Sequence, residues 1–144
     1  MNLFKNVKIT KVKNHSTANT TDVESDAVDM QNYDGVVFFT TFAVAHGSNY
    51  LKAQQDENDD SGFGDAEDLA GTKVVAASAN DVTWLDIYRP KKRYIRAHGE
   101  RGGASTALGE IYAIQYAGRV LPETNLVTDE VIGKLVISPD AGTA

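Results

Sequence analysis

Apolar and polar residues alternate with a period of two along several short segments, and this alternation most constrains how the chain can fold. Segment 5–12 places Val7 and Ile9 on one face with Val12 near them, and segment 82–88 repeats the pattern. Because successive side chains of a strand point to opposite faces, this period predicts half-buried β-strands. No long segment has the 3.6-residue period of an amphipathic helix. The chain is therefore expected to be all β.

Individual segments predict how some strands are used. Segment 36–44 is almost wholly apolar or β-branched, which predicts a strand buried on both faces. Segment 50–55 follows a turn and is predicted to pair with 36–44 as a hairpin. Trp84 is predicted to anchor a core face. Further expectations are a weaker strand within 20–28, a single helical turn at 65–70 that Gly71 ends, and a strand at 72–77.

Turn residues separate about eight strand candidates at intervals of roughly 10–14 residues. One such turn is Asp34-Gly35, a pair that tolerates positive φ. This spacing predicts an antiparallel β-sandwich, jelly-roll-like and of one domain, for a chain of 144 residues. We place the sandwich, including an N-terminal strand, at 1–122 and a C-terminal arm at 123–144. Segments 1–13 and 123–144 are the expected extended arms, and 131–137 is apolar enough to add a strand to this subunit or to a neighbouring one.

Composition excludes several classes of protein. There is no cysteine, which rules out disulfide scaffolds, cysteine–zinc sites, iron–sulfur clusters and thiol nucleophiles. The formal net charge of −6 disfavours a nucleic-acid binder. The first residues lack the apolar stretch of a signal peptide, and the apolar run 36–39 is far too short to span a bilayer. The chain is therefore expected to stay in the compartment where it is made, without a membrane partner.

No motif indicates catalysis or a bound cofactor. His15, His46 and His98 have no metal-ligand spacing and are predicted to be surface imidazoles at turns or strand ends. Ser105 lacks a nucleophile motif, and the glycine-rich turn at 102–106 lacks the lysine of a phosphate-binding loop. We therefore expect neither an enzyme nor a cofactor. A site built from scattered Asp, Glu and His residues remains the catalytic alternative.

An acidic loop at 56–68 carries the best candidates for a metal site. Calcium prefers six to eight oxygen ligands, and this loop offers several. Glycine is missing from the position where an EF-hand loop needs it, and no helices flank the loop. The alternatives are an irregular calcium site and a solvated negative loop. The candidate ligands are Asp56, Asn58, Asp60 and Glu67.

A basic segment follows the acidic loop in the sequence. Residues 89–101 contain six positive side chains and one acid, whereas residues 50–70 contain seven acids and one lysine. Tyr88 and Tyr94 interleave with the arginines, as at nucleic-acid surfaces, but the chain is acidic and the segment crosses a bend at Pro90. The two patches therefore predict either a charged contact surface for a protein partner or an internal salt-bridge seam.

Short motifs occur in a recognisable order between residues 28 and 122. They are Val28-Asp29-Met30, Tyr33-Asp34-Gly35-Val36, Asp68-Leu69-Ala70-Gly71-Thr72, Asp86-Ile87-Tyr88-Arg89-Pro90, Lys92-Arg93-Tyr94-Ile95-Arg96, Ile111-Tyr112-Ala113-Ile114-Gln115-Tyr116 and Leu121-Pro122. This order resembles that of small virion proteins of tailed bacteriophages, typically encoded beside the major capsid protein. The resemblance implies a capsid cement or decoration protein, a sandwich or jelly-roll module that sits as a dimer or trimer on the outside of an HK97-type shell.

This resemblance also implies the partners and the location. The partners would be the major capsid protein and further copies of the chain, and the location would be the virion after synthesis in the bacterial cytoplasm. The alternatives are a phage neck or tail-completion protein and a calcium- or carbohydrate-binding β-sandwich module. We expect Arg89, Lys91, Lys92, Arg93 and Arg96 to contact an acidic shell surface, with Leu135, Val136 and Ile137 in a possible added strand.

Overall fold

The computed structural model describes residues 2–58, 63–123, 125, 131–138 and 141. This part of the chain contains one short helix, α1 (Leu3–Asn6), and twelve strands. The strands are β1 (Val7–Lys13), β2 (Ser16–Asn19), β3 (Val23–Glu24), β4 (Val28–Asp29), β5 (Gly35–Thr41), β6 (Asn49–Asp56), β7 (Glu67–Asp68), β8 (Val74–Val75), β9 (Val82–Tyr88), β10 (Tyr94–Arg101), β11 (Thr106–Leu108) and β12 (Ile111–Tyr116).

The strands form two main sheets. The first sheet has the order β1-β12-β5-β9. In the second sheet β10 pairs with β6 and, on its other side, with β3 and β4, while β7 and β8 pair with β6. A small third sheet joins β11 and β2. Every pairing is antiparallel, which confirms the predicted all-β antiparallel sandwich.

The hydrophobic core lies between the two main sheets. Phe38 of β5 and Ile111 of β12 enter it from the first sheet, and Leu51 of β6 and Ile95 of β10 enter it from the second. Phe42, just beyond β5, is also fully buried and bridges to Leu108. Removing these large side chains from water supplies the main favourable contribution to folding, because each buries most of its apolar surface.

The segment 50–55 does not pair with 36–44, so the predicted hairpin is wrong. Residues 49–56 form β6 in the second sheet, whereas β5 lies in the first sheet between β12 and β9. Both sides of β5 are therefore occupied by other strands. The residues between β5 and β6 cross from one sheet to the other. A connection of this length also fits a hairpin, so the sequence does not distinguish the two arrangements.

Two expectations about burial are also wrong. The side chains of β5 alternate, with Phe38 buried in the core and Val37 and Phe39 half-buried on the opposite face. Trp84 of β9 is 59% exposed and does not anchor the core. In β9 the residues that face inward are Thr83, Leu85 and Ile87.

The weaker strand expectations are confirmed only in part. Segment 20–28 contributes the two-residue β3 and the start of β4, and 72–77 contributes β8. Residues 67–68 form β7 on the edge of β6 rather than a helical turn, because their backbone pairs with Gln54 and Gln55. Gly71 has a left-handed φ of 80° and lies in the turn that follows.

Residues 4–9 and residues 123 and 125 meet at the β1 edge. β1 is part of the first sheet, so residues 7–13 are not an arm. The N–H of Glu123 donates to the carbonyl of Lys5 at 2.9 Å, and the Asn125 side chain bonds to Phe4, Val7 and Ile9. Residues 131–138 are described but are not in a strand. The domain division at residue 122 remains a prediction.

Helix α1 is capped by Asn2, whose Oδ1 accepts the N–H of Lys5 at 3.1 Å. Among the described residues, no helix has the length and hydrophobicity needed to cross a membrane.

Candidate functional site

The basic segment begins in the loop that joins the two sheets. Residues 89–93 connect β9 of the first sheet to β10 of the second. Arg89 has a left-handed φ of 52°, and its N–H donates to the Asp34 carbonyl at 2.6 Å. The guanidinium of Arg89 lies 5.1 Å from the centre of the Tyr88 ring. The loop therefore turns sharply at the end of β9 and presents its cations beside the 30–34 turn.

Three of the five predicted contact cations are paired inside the subunit. Arg93 donates two hydrogen bonds to the carboxylate of Asp29, at 3.0 and 2.7 Å, and these hold the pKa of Asp29 below its ordinary value. Lys92 lies 3.1 Å from Glu67 and lowers the pKa of Glu67 through its hydrogen bond. Of these pairs, only Lys92–Glu67 joins the basic segment to the acidic one, as the predicted internal salt-bridge seam requires.

Arg96 is the most buried of the three paired cations. Its side chain is only 9% exposed and donates to Glu24 and to Gln54, each at 2.8 Å. Its guanidinium also lies 4.7 Å from the centre of the Phe63 ring. A buried, fully directed guanidinium of this kind stabilises the sheet and is not available to a partner.

A cleft of about 640 Å³ opens beside the 89–93 loop. Its cationic lining residues are Arg89, Lys91, Lys92, Arg93 and Arg119, and its acidic ones are Asp34 and Glu57. Across the described part of the chain, no carboxylate lies within 4.0 Å of Arg89, Lys91 or Arg119. These three side chains, here called the cleft cations, are positioned to bind an anionic segment.

Sequence reasoning missed Arg119. It is an isolated charge, 18 residues beyond the basic segment, so no local pattern indicates it. Its position follows from a turn after β12, where Ala117 has a φ of 52° and the Arg119 N–H donates to the Asn32 carbonyl at 2.9 Å.

The candidate calcium ligands are used in other ways. Asp56 is buried, and its two carboxylate oxygens accept the N–H groups of Asn58 at 3.1 Å and Asp65 at 3.2 Å. Glu67 pairs with Lys92, and Asn58 is exposed. Asp60 lies outside the described residues. The contacts of Asp56 and Glu67 therefore hold the two ends of the acidic loop to the second sheet.

The outer face of the second sheet is strongly polar. His98 lies within β10 and is only 7% exposed, so the expectation of a surface imidazole at a strand end is wrong for this residue. Its Nε2 is 3.3 Å from Asp22 and its Nδ1 is 3.6 Å from Glu24. The neighbouring strands enforce this burial, since His98 pairs with Glu24 on one side and Lys52 on the other.

Asp22, His98 and Glu100 have potential metal-ligating atoms within 4.8 Å of one another. The acids of this group already have cations or donors beside them. Lys52 lies 3.8 Å from Glu100, and the Tyr50 hydroxyl donates to the same carboxylate, which raises the pKa of Tyr50 to about 12. A metal ion here would have to displace those groups, so the arrangement favours an ionic network over a metal centre.

The outer face of the first sheet is largely apolar, although Asp86 of β9 lies in it. In register, Trp84 lies beside Phe39, which lies beside Tyr112, and the next row contains Val37 and Ile114. The rings of Phe39 and Tyr112 stack with centroids 5.3 Å apart. We call this surface the apolar face; its residues are Val37, Phe39, Val82, Trp84, Tyr88, Tyr112 and Ile114. The sequence does not identify the apolar face, because its pattern predicts Trp84 in the core.

The segment 131–138 is a second exposed apolar surface. Ile132 and Ile137 are 79% and 88% exposed, and Val136 is also exposed. Leu135, Val136 and Ile137 thus make no added strand within this chain, and the prediction that they pair with a neighbouring subunit stays a prediction.

The fold occurs in solved structures of other proteins. The fold is similar to that in the crystal structure of the PBSX exported protein XepA, with a TM-score of 0.54 and 18% sequence identity. The match covers 94% of this chain but 45% of that one, so this chain spans less than half the length of that protein. A likeness at this identity shows a shared fold. No protein-family model matches the sequence, and no curated protein matches it.

Proposed function

We propose that the chain is a structural protein of a tailed-phage virion that binds and stabilises the outside of the major capsid shell as a cement or decoration protein. It acts by binding and performs no catalysis. The order of sequence motifs supports this role, as does the fold shared with the phage-related protein XepA. The observation that carries the proposal is the group of cleft cations, Arg89, Lys91 and Arg119, gathered on a protein of net charge −6.

The charge distribution explains how an acidic protein can bind an acidic shell. Seven acids lie between residues 50 and 70, so approach in most orientations is repulsive. The cleft cations offer one attractive surface, and complementary charge of this kind fixes orientation and speeds association more than it adds affinity. Arg93 and Lys92 support that surface by holding the loop to Asp29 and Glu67. The residues that contact the shell in this proposal are therefore Arg89, Lys91 and Arg119.

Charge reversal at the cleft tests this proposal. Arg89→Glu with Lys91→Glu should reduce co-sedimentation with shells that lack the protein, by about tenfold in affinity. The matched control reverses two exposed lysines elsewhere, Lys5→Glu with Lys73→Glu, and should bind almost as the native protein does. Equal loss in both variants would indicate a general charge effect and would sink the cleft assignment.

The same sedimentation experiment separates capsid binding from other virion roles. A cement protein co-sediments with shells at a lattice stoichiometry. A ring-sized oligomer without shell binding would instead indicate a neck or tail-completion protein. Absence of both would leave the virion proposal without support.

A carbohydrate-binding module is the second candidate, and the exposed aromatic residues of β9 favour it. Trp84 and Tyr88 point the same way from one strand, each 59% exposed. Aromatic rings at such positions can stack on apolar faces of sugars. Titration with oligosaccharides should shift the emission of Trp84, the only tryptophan in the chain, if this function is correct.

A further inference from the structure

The apolar face and the segment 131–138 are two exposed apolar surfaces of one chain, and we propose that they bind each other between copies. In this arrangement residues 131–137 of one copy add a strand to the open edge of β9 in a second copy. The inference concerns self-association and does not depend on capsid binding, so it can hold or fail independently of the proposed function.

β9 is the acceptor because its outer edge is open. It pairs with β5 on one side, and among the described residues no strand pairs with its other side and no backbone hydrogen bond is made there, although β6 and β8 approach β9. At the opposite edge of the same sheet, the Asn125 side chain bonds to the backbone of Val7 and Ile9 in β1. An uncovered edge is a template for another strand, and an apolar face beside it adds side-chain contacts.

The donor has the length and composition of a strand. Residues 131–137 read Val-Ile-Gly-Lys-Leu-Val-Ile, which is rich in β-branched side chains. They number seven, as do the residues of β9. Ile132 and Ile137 are 79% and 88% exposed, so these two side chains bury little surface within their own chain.

Charge complementarity sets the register. Asp86 is the acidic residue in the outward row of β9, and Lys134 is the basic residue of the donor. The Tyr116 hydroxyl donates to Oδ1 of Asp86 at 2.6 Å, which leaves Oδ2 for an ammonium group. Antiparallel pairing of Lys134 with Asp86 brings Ile132 beside Tyr88 and Val136 beside Trp84. Aromatic and β-branched neighbours of this kind stabilise adjacent strands.

A second copy is the occupant because the two surfaces are exposed in the same chain. Each chain carries one donor and one acceptor, so exchange between two copies, or around a closed ring, covers every face. The resemblance to small virion proteins implies a dimer or trimer, and this contact would build either one without any further surface.

Paired charge reversals test the exchange. Asp86→Lys and Lys134→Glu should each shift the native oligomer to monomer in sedimentation velocity, with self-affinity reduced about tenfold or more. Mixing the two variants should restore association as a dimer or an even-numbered ring, because in such an assembly of alternating variants every donor meets an acceptor of opposite charge. Emission from Trp84 should move to shorter wavelength on association in the native protein and in the mixture, but not in either variant alone.

Controls make each outcome decisive. Asp65→Lys reverses an exposed acid near the second sheet and should leave the oligomer intact. The inference is overturned if the native protein stays monomeric at its highest soluble concentration, or if both reversals keep the native oligomer. It is also overturned if both reversals in one chain restore the blue-shifted Trp84 emission while mixing single variants does not, since that indicates docking within a chain. If the protein is monomeric and the emission of Trp84 shifts when oligosaccharide is added, the apolar face binds sugar instead of a second copy.

Discussion

At the scale of single residues, Gly35 shows how a small side chain shapes a surface. The sequence suggested a glycine that permits positive φ after Asp34, but Gly35 lies inside β5. What requires glycine there is the Tyr116 ring, which lies directly over it in the neighbouring strand. That position lets the Tyr116 hydroxyl reach Asp86, and burial together with this bond raises the pKa of Tyr116 to about 12.

Gly35→Ala should therefore destabilise the protein by about 1–3 kcal/mol, because the added methyl group overlaps the ring and forces Tyr116 to move. Chemical denaturation measures the change. Gly47→Ala is the matched control, since nothing lies within 4 Å of a methyl group there, and it should change little. Equal stability of the two variants would show that Tyr116 moves away freely.

The pair Asp29–Arg93 gives a pH-dependent prediction for one residue. The guanidinium lowers the Asp29 pKa from 3.8, so folding is favoured above that value and the contribution is lost as pH falls through the lower, folded pKa. Arg93→Gln should return the pKa towards 3.8, and should make stability less sensitive to acid in that range. Carboxyl NMR titration of both proteins measures this, and an unchanged Asp29 pKa contradicts the assignment.

At the scale of elements, alternation located the long strands but not their partners. β1 and β9 follow from period-two patterns and β5 from an apolar run, whereas the two-residue strands β3, β4, β7 and β8 exist because β10 and β6 supply hydrogen-bonding edges. Alternation also defines two faces of β9 without showing which one is buried, since both carry apolar residues. The basic segment is visible in the sequence as a run of charges. Its pairing with Asp29, Glu24 and Glu67 is visible only in the fold, because these acids are distant in the sequence.

Phe38 of β5 faces the core and Trp84 of β9 faces outward, so we predict very different losses of stability when each ring is removed. Phe38→Ala removes a fully buried ring and should cost about 3–5 kcal/mol of unfolding free energy. Trp84→Ala, on the exposed side, should change the stability of the monomer by no more than about 0.5 kcal/mol. Denaturation at dilutions where the protein is monomeric compares them. A large loss for Trp84→Ala would mean that its face is packed within the subunit.

At the scale of the whole molecule, the two sheets turn chemically different faces outward. The outer face of the second sheet carries Asp22, Glu24, Lys52, His98 and Glu100, which compensate one another within the subunit. The outer face of the first sheet carries aromatic and aliphatic side chains with few partners. The cleft cations lie at the connection between the sheets. The two contacts that we propose, with a second copy and with an acidic partner, therefore use different surfaces.

Salt should separate these two contacts. Screening shortens the range of charge interactions to about 8 Å at physiological ionic strength and about 3 Å at 1 M, so binding of the cleft to an acidic shell should weaken steeply. Association through the apolar face should weaken far less, because burial of apolar surface does not require charge. Sedimentation with shells and without them, across the same salt series, compares the two. Oligomers that dissociate at the same salt concentration as shell binding is lost would show that one charged surface serves both contacts.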